Sequence, residues 1–438
     1  MRILIFLILN LVLLNAQKYN IYPNNVKQIK EICSNIEGGD IIYLREGIYN
    51  YIPNIKCSGN SKKFVKISAY PNEKVIIKDS VRINGNYLII SNLNLKGNSE
   101  SLNYDEVISQ WWNPSKEINK NGLIVEGHHI IIRNNTIGYF PASGLRVTNN
   151  SDYITIHHNI IYNNAWWATS GTGGIIVKNI YQLDNSTKRK IKITKNLIFS
   201  NESRIFSHVF SKGFSKLTID EGESFLIQQD DDPRNTKAKF GNYNGRFLVK
   251  NNIILYNGKG SSLNKANNID MIENFLYCNG TTASSINAGG IRGNNTNNDL
   301  FKNNLIEVCQ DKIGFSVTGY NNYLLNNHIK STTQKFLPGL IIESKLFENP
   351  KKLNFYNKIS KNKANIILNS FHKMLTQNNI IIKPTNYKVD YKKQINDIIE
   401  LIPQNANTKI NKYPNKIEIL NIDNKNINNL PNNFTLEF

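Results

Sequence analysis

Short segments that alternate between apolar and polar residues recur along the middle of the chain. The repeated pattern is apolar, any residue, apolar, two polar residues, Asn, any residue, apolar. Clear copies occupy residues 130–137 and 154–161, and further copies surround Asn196, Asn252, Asn274, Asn304 and Asn327. The most closely spaced copies lie 22 to 24 residues apart. Alternation over such short segments, ended by Asn or Gly, predicts β-strands.

A single repeat is too small to bury its own apolar face, so consecutive repeats have to stack. Two or three strands in a period of 22 to 24 residues predict an all-β fold, a single-stranded right-handed parallel β-helix. The repeated Asn is expected at an interior turn, where its amide bonds to the next Asn and to backbone. A leucine-rich horseshoe would need leucines and helices that are missing, and a propeller would need a longer period.

Both ends of the chain differ from this repeat. Residues 1–16 combine Arg2, a short apolar run and Ala16, which predicts a secretory signal peptide, with an uncleaved anchor as the alternative. The β-helix is expected over residues 17–346, with a short amphipathic helix at residues 26–33 capping its open core. Residues 347–438 predict a C-terminal cap followed by a basic Asn/Lys-rich tail. No later segment has the length and apolar character of a membrane span.

Four cysteines follow the predicted signal peptide, namely Cys33, Cys57, Cys278 and Cys309. An even number in a secreted chain suggests two disulfides. Pairing by proximity joins Cys33 to Cys57 and Cys278 to Cys309, which is one of three possible connectivities. Several Asn-x-Ser/Thr sequons suit a secreted glycoprotein, although an Asn-rich chain contains many such triplets by chance.

The composition bears on the expected partners. The 438 residues are 40% hydrophobic, enough for a core, and carry a net charge of +20. Lys and Asn have A/T-rich codons, so codon usage explains much of the positive charge. The chain has no RNA-recognition signature, zinc-finger spacing or basic helical stripe, so nucleic acid is not expected as a partner. The charge does suit attraction to an acidic polysaccharide.

Three intervals between repeats are enlarged. They are 42 residues from Leu93 to Asn135, 37 residues from Asn159 to Asn196, and 56 residues from Asn196 to Asn252. Solenoid insertions form loops, often on one face, so these loops are expected to line a groove. The first two intervals contain all four tryptophans, Trp111, Trp112, Trp166 and Trp167. Their flat rings are candidate substrate-binding residues that stack on sugars, and the alternative is a small core beneath the loops.

Within the longest interval, residues 220–232 contain six carboxylates in a chain that is otherwise poor in acids. Clustered carboxylate oxygens suit a hard cation, most simply Ca²⁺. The candidate ligands are Asp220, Glu223, Asp230 and Asp231. The alternative is a solvated acidic loop. Lys216 and Arg234 lie nearby and are the candidate catalytic residues.

Several segments resemble secreted right-handed parallel β-helix proteins of the pectate-lyase-like superfamily. They are residues 141–147, 152–156, 162–167, 172–175, 216–235 and 244–252. The resemblance covers roughly residues 26–329 and implies cleavage or binding of a polysaccharide. Glu223-Ser224 departs from the family's second glycine, and Gln228-Gln229 are inserted before the aspartates. The motifs of polygalacturonases and of the epimerases are absent.

Together these features predict a secreted, monomeric, lyase-like enzyme that cleaves an acidic (uronate) polysaccharide by β-elimination. Lys216 or Arg234 would remove the proton next to the sugar carboxylate, which Ca²⁺ would neutralise. The alternative is a non-catalytic glycan-binding or surface protein with an eroded active site. Weaker alternatives are a structural rod without a groove and a glycoside hydrolase with a carboxylate pair among residues 230–232. His128, His129, His157 and His158 fit ordinary positions on the solenoid surface.

Overall fold

The computed structural model of the chain describes residues 16–111, 113–169, 172–207, 219–229, 243–283, 286–343, 347–349, 354–355, 358–385 and 387–401. In these residues, three parallel sheets account for nearly all the strands. Sheet A contains β1 (Lys18–Ile21), β2 (Ile41–Leu44), β4 (Val65–Ala69), β7 (Leu88–Ser91), β10 (Ile130–Arg133), β13 (Ile154–His157), β16 (Arg189–Thr194), β19 (Arg246–Lys250), β22 (Ile269–Ile272), β25 (Leu300–Lys302) and β28 (Tyr323–Leu325).

The other two parallel sheets follow the same succession along the chain. Sheet B contains β3 (Gly47–Tyr49), β5 (Val75–Ile77), β8 (Asn94–Lys96), β11 (Thr136–Gly138), β14 (Ile160–Tyr162), β17 (Leu197–Phe199), β20 (Ile253–Leu255), β23 (Phe275–Tyr277), β26 (Leu305–Glu307), β29 (Asn327–Lys330) and β30 (Leu340–Ile342). Sheet C contains β6 (Val81–Ile83), β9 (Leu123–Val125), β12 (Leu145–Asn149), β15 (Gly173–Ile180), β18 (Glu223–Gln228), β21 (Lys259–Asn264), β24 (Ile291–Asn294) and β27 (Phe315–Val317).

The remaining elements are five α-helices, two short 3₁₀ helices and an antiparallel strand pair, counted within the described ranges. The helices are α1 (Gln28–Asn35), α2 (Tyr104–Ser109), α3 (Lys358–Asn369), α4 (His372–Gln377) and α5 (Tyr391–Glu400), with 3₁₀ turns at Ser99–Ser101 and Ile286–Ala288. The antiparallel pair is β31 (Phe347–Asn349) with β32 (Asn354–Phe355). None of the described helices has the length and apolar character needed to cross a membrane.

From β4 to β27 the chain passes repeatedly through sheets A, B and C, so each circuit forms one rung of a solenoid. Each strand pairs in parallel with the strand one rung earlier. Crossovers between parallel strands are right-handed almost without exception. The topology is therefore that of a right-handed parallel β-helix, which confirms the predicted fold class.

Inward-facing aliphatic side chains stack along the axis because residues at the same strand position are in register. Ile132, Ile156 and Ile193 occupy one such stack, and all three are fully buried. Burial of an Ile side chain contributes roughly 1.5–3 kcal/mol. The stacked interior is one continuous core that runs from Ile21 to Leu340.

The repeated Asn residues form a ladder inside the turn from sheet A to sheet B. Its members are Asn135, Asn159, Asn196, Asn252, Asn274, Asn304 and Asn327, all fully buried. The Oδ1 atom of each Asn from the second onward accepts from the backbone N–H and Nδ2 of the Asn one rung earlier, at 2.8–3.1 Å. The expected role of the repeated Asn is thus observed.

The N-terminal helix and both disulfides lie at the positions predicted from the sequence. Helix α1 packs against β1 with Ile29 buried, close to the residues predicted for the cap. Disulfides join Cys33 to Cys57 and Cys278 to Cys309. They account for all four cysteines.

The C-terminal helices pack along the side of the solenoid. Side chains of this segment, among them Ile367 and Phe371, bury the outward faces of Tyr162, Phe199 and Leu255 on sheet B. Helix α5 packs on α2. The described residues of the predicted C-terminal cap and tail therefore cover part of the outer face of sheet B.

Candidate functional site

Between β4 and β27, every connection of ten or more residues flanks a strand of sheet C. Residues 97–122 precede β9, residues 163–172 precede β15, and residues 200–222 and 229–245 lie on either side of β18. The strands that these connections enter or leave lie on nearby rungs of the same sheet. The outer face of sheet C is therefore the place to look for a site.

Two rows of outward side chains run along this sheet. The strand register aligns Arg146, Ile176, Leu226, Ser262 and Arg292 in the first row. The second row aligns Thr148, Lys178, Gln228, Asn264 and Asn294. We call Arg146, Lys178, Gln228, Asn264 and Arg292 the polar face of sheet C. It offers cations and amides on successive rungs, which lie about 4.8 Å apart.

The carboxylates before and within β18 meet a lysine from the next rung. Nζ of Lys259 donates to Oδ1 of Asp220 at 2.7 Å, to the Asp220 carbonyl at 2.9 Å and to Oε1 of Glu223 at 3.1 Å. Arg292 donates from Nη1 to the same Asp220 oxygen at 3.1 Å. The polar face of sheet C is thus tied to the acidic cluster through Arg292.

This cluster is deeply buried at Lys259 and Glu223, whose side chains are each 4% exposed. Burial raises the pKa of Glu223. Burial also works against the charge of Lys259, but Asp220 and Glu223 outweigh that effect and raise the pKa of its ammonium. Oε2 of Glu223 is buried without a hydrogen-bond partner, and such an atom is costly unless a neighbour satisfies it.

Another carboxylate, that of Glu202, lies next to the segment that contains Asp220 and Glu223. Glu202 is fully buried, accepts from Nε of Arg204 at 2.9 Å and has its pKa raised by burial. Gly222 has a φ of +84°, and a Cβ on it would lie 2.7 Å from Cα of Glu202. Only glycine fits this close approach. Gly222 therefore lets the acidic segment pack directly onto the Glu202 backbone.

Three of the four tryptophans are packed inside the protein. Trp111, Trp166 and Trp167 are 1%, 9% and 4% exposed and belong to one apolar cluster that also includes Ile398 of α5. Nε1 of Trp111 donates to the Phe206 carbonyl at 3.0 Å. This arrangement matches the small-core alternative, and sugar stacking would require the cluster to open. Trp112 lies outside the described residues.

Most of the predicted chemistry falls on residues that the structure does not describe. Lys216 and Arg234, the candidate catalytic residues, are among them, as are the candidate ligands Asp230 and Asp231. The structure therefore places only Asp220 and Glu223 of the predicted metal site. It brings these two side chains together around Lys259.

The described residues do not fit a Ca²⁺ site in this arrangement. Oxygens of Asp220 and Glu223 converge on the ammonium of Lys259, which repels a second cation at that point. Within the described ranges, no three His, Cys, Asp or Glu side chains are grouped as metal ligands. Calcium bound by Asp220, Glu223, Asp230 and Asp231 remains a prediction from the sequence.

The cations of the site carry no signal in the sequence. Arg146, Lys178, Lys259 and Arg292 are spread over 147 positions of the chain and look like ordinary members of a lysine-rich sequence. Strand register alone brings them onto one sheet. Burial lowers the pKa of Arg146, and the carboxylates of Glu221 and Glu126 oppose that effect.

Comparisons with known proteins found similarity only among solved structures. No protein-family model matches the chain, and no curated protein matches it. A mannuronic acid specific polysaccharide family 6 lyase from the human gut microbiota is 14% identical with a TM-score of 0.41, over 76% of this chain and 69% of the lyase.

Two further structures give similar values. A pectate lyase, Pel9A, is 12% identical with a TM-score of 0.36, over 72% of this chain and 80% of the lyase. The A-module of the Azotobacter vinelandii mannuronan C-5 epimerase is 13% identical with a TM-score of 0.36, over 73% of this chain and 94% of the module. On the topology of its own three sheets, the chain is a right-handed parallel β-helix protein.

Proposed function

We propose that the protein binds an acidic polysaccharide along the polar face of sheet C and cleaves it by β-elimination. The observation that supports this proposal is that Arg146, Lys178 and Arg292 all lie on the outer face of sheet C, whose strands are flanked by the long connections between β4 and β27. Arg146 and Lys178 lie on neighbouring rungs, and Arg292 lies three rungs beyond Lys178. Cations spaced along the axis in this way suit a polymer with a carboxylate on each sugar.

Lys178 and Arg292 have complementary roles in this proposal. Lys178 forms no ion pair within the described part of the chain, so its ammonium is available to a ligand carboxylate. Arg292 uses one nitrogen on Asp220, and a guanidinium has five N–H donors. Asn294 donates to Asn264 at 3.2 Å, which fixes amides beside these cations for contact with sugar hydroxyls.

The chemical step rests on residues predicted from the sequence. A base removes the proton next to the sugar carboxylate, the bond to the leaving glycosidic oxygen breaks, and a carbon–carbon double bond forms. Lys216 and Arg234 are the proposed bases, because they lie in the connections on either side of β18. Such a base needs a lowered pKa, which nearby cations favour. No step is assigned to a metal ion.

A second candidate function is binding without cleavage. The observation that favours it is the neutralisation of Asp220 and Glu223 by Lys259, together with the burial of three tryptophans. A protein that had lost its active site would keep the polar face of sheet C for binding. In both cases we propose a secreted monomer, and the two disulfides are consistent with secretion.

Incubation of the full secreted chain with polygalacturonate, alginate and chondroitin sulfate separates the two functions. Ultraviolet absorbance follows the unsaturated sugar that β-elimination produces, and a glycan array measures binding in parallel. Product together with binding supports the lyase. Saturable binding without product, with and without added Ca²⁺, supports the binding protein. Neither binding nor product with any acidic polysaccharide contradicts both.

A further inference from the structure

A cleft lies between the solenoid and the C-terminal helices, away from sheet C. It has a volume of about 630 Å³, which is within the range of small-molecule sites. Its floor is the turn from sheet A to sheet B, with Asn92 and Asn134. One wall is the loop from Tyr70 to Lys74, and the other is α4 with Lys373 and Gln377.

The helix that forms the second wall is held firmly against the solenoid. Nδ1 of His158 donates to Oδ1 of Asn134 at 2.8 Å, and its Nε2 lies 2.8 Å from Oγ of Ser370. The His158 ring stacks on Phe371 at 4.3 Å between centroids. At the other end of α4, Asn94 donates to Asn378 at 2.9 Å. The cleft is therefore preformed.

The amides on the floor have unused hydrogen-bonding groups of both kinds. Asn92 donates from Nδ2 to Ser68, which leaves its Oδ1 as an acceptor. Asn134 uses Oδ1 for His158, which leaves its Nδ2 as a donor. A sugar hydroxyl both donates and accepts. A floor that offers both groups on adjacent rungs therefore matches neighbouring hydroxyls of one sugar ring.

The walls add positive charge. Lys74 and Lys373 stand on opposite walls, are exposed and form no ion pair within the described residues. The carboxylate of Glu73 is held by Nε of Arg45 at 2.9 Å, so its charge is balanced locally. The cleft thus combines two available cations with amides, which favours a ligand that has both hydroxyls and carboxylates.

We propose that this cleft is a separate binding site for a short acidic oligosaccharide, whose carboxylates contact Lys74 and Lys373 and whose hydroxyls contact Asn92 and Asn134. The ligand class is that of the proposed function, but the site is formed by different strands and contains none of the residues proposed for cleavage. It would hold the polymer, or a released end of it, against the side of the solenoid.

The test is calorimetric titration of the full chain with trigalacturonate and trimannuronate, and with neutral maltotriose as a comparison. The double variant K74A/K373A is compared with K56A/K62A, which removes the same charge from exposed lysines outside the cleft. We expect saturable binding of an acidic trisaccharide, weaker by roughly tenfold in K74A/K373A and unchanged in K56A/K62A.

Three results overturn the proposal. They are no saturable binding of either acidic trisaccharide, equal binding of maltotriose, and equal affinity in the two double variants. Binding that is lost in K178A and kept in K74A/K373A would assign the ligand to sheet C. Cleavage of the polymer is measured separately, so failure of the proposed function leaves this test intact.

Discussion

The ammonium of Lys259 and the carboxylate of Glu223 form an ion pair of 3.1 Å that is almost completely buried at the edge of sheet C. Asp220 accepts from the same ammonium at 2.7 Å. Removing one member of such a group leaves a charge buried without its partner, which costs far more than loss of a surface ion pair. The cluster therefore makes Lys259 essential to the stability of the site.

We expect K259M to lower the free energy of unfolding by about 3–5 kcal/mol at neutral pH. The double variant K259M/E223Q should be less destabilised, because it leaves no unpaired Glu223 charge. Denaturation in guanidinium chloride measures both. Equal stability of the double and single variants would show that the unpaired carboxylate is not the cause.

The pH dependence of K259M follows from the same pair. Burial already raises the pKa of Glu223, and loss of Lys259 raises it further. A raised pKa in the folded state means that stability is greatest at low pH and is lost as the pH rises through that pKa. The deficit of K259M relative to the unmodified chain should therefore shrink as the pH falls towards the ordinary range of a glutamate, about 4.3. A deficit that grows on acidification would contradict this assignment.

Calcium is expected to leave the thermal stability of the protein unchanged. A ligand that binds only the folded state at 100 times its Kd adds about 2.7 kcal/mol, and Lys259 already neutralises Asp220 and Glu223. Thermal unfolding in Ca²⁺ and in chelator measures the difference. A clear rise in Tm with Ca²⁺, absent in D230N/D231N, would instead support the calcium site predicted from the sequence.

Substitution of an Asn at the centre of the asparagine ladder should lower the free energy of unfolding. In N196A, the backbone N–H and Nδ2 of Asn159 lose their acceptor, which we expect to cost roughly 3 kcal/mol. The control is K195G, because Lys195 is exposed and has a φ of +51° that glycine adopts freely. Equilibrium unfolding should separate the two variants clearly. Similar losses in both would show that the turn, and not the ladder, is the sensitive feature.

Helix α5 is expected to shield Trp111, Trp166 and Trp167 from water. Ile398 is 2% exposed and belongs to their apolar cluster, so I398D should loosen α5 and shift tryptophan emission to longer wavelengths. K388A, at an exposed position before the helix, is the control. Unchanged emission in I398D would contradict the packing of α5 on this cluster.

The fold could be predicted because each copy of the repeat has the same kinds of residue at the same strand and turn positions. Every ladder Asn follows a residue with positive φ, such as Asn134 or Asn251. Each copy of the sequence pattern therefore indicates a turn from sheet A to sheet B. A second ladder of Asn164, Asn201, Asn257 and Asn279 links the turns from sheet B to sheet C. Its members lie five residues after members of the first ladder, a regularity that the repeat pattern did not include.

The candidate site could be predicted only in part. The clustered acids are close together in sequence, so Asp220 and Glu223 could be predicted to lie in one cluster. Lys259 comes from the next rung, and only the strand register brings it to these carboxylates. The sequence around Trp111, Trp166 and Trp167 does not indicate that α5 covers them, because Ile398 of this helix lies more than 200 residues later. Long-range packing of this kind has no local signal.

The most direct test of the account is the rate at which the full chain forms unsaturated product from acidic polysaccharides, for the unmodified protein, K178A and K192A. Lys192 is an exposed lysine on the outer face of sheet A and serves as the matched control. We expect ultraviolet-absorbing product from at least one uronate polymer, with kcat/KM lowered roughly tenfold in K178A and unchanged in K192A. Equal rates in K178A and K192A, or no product from any acidic polysaccharide, would contradict cleavage on the polar face of sheet C.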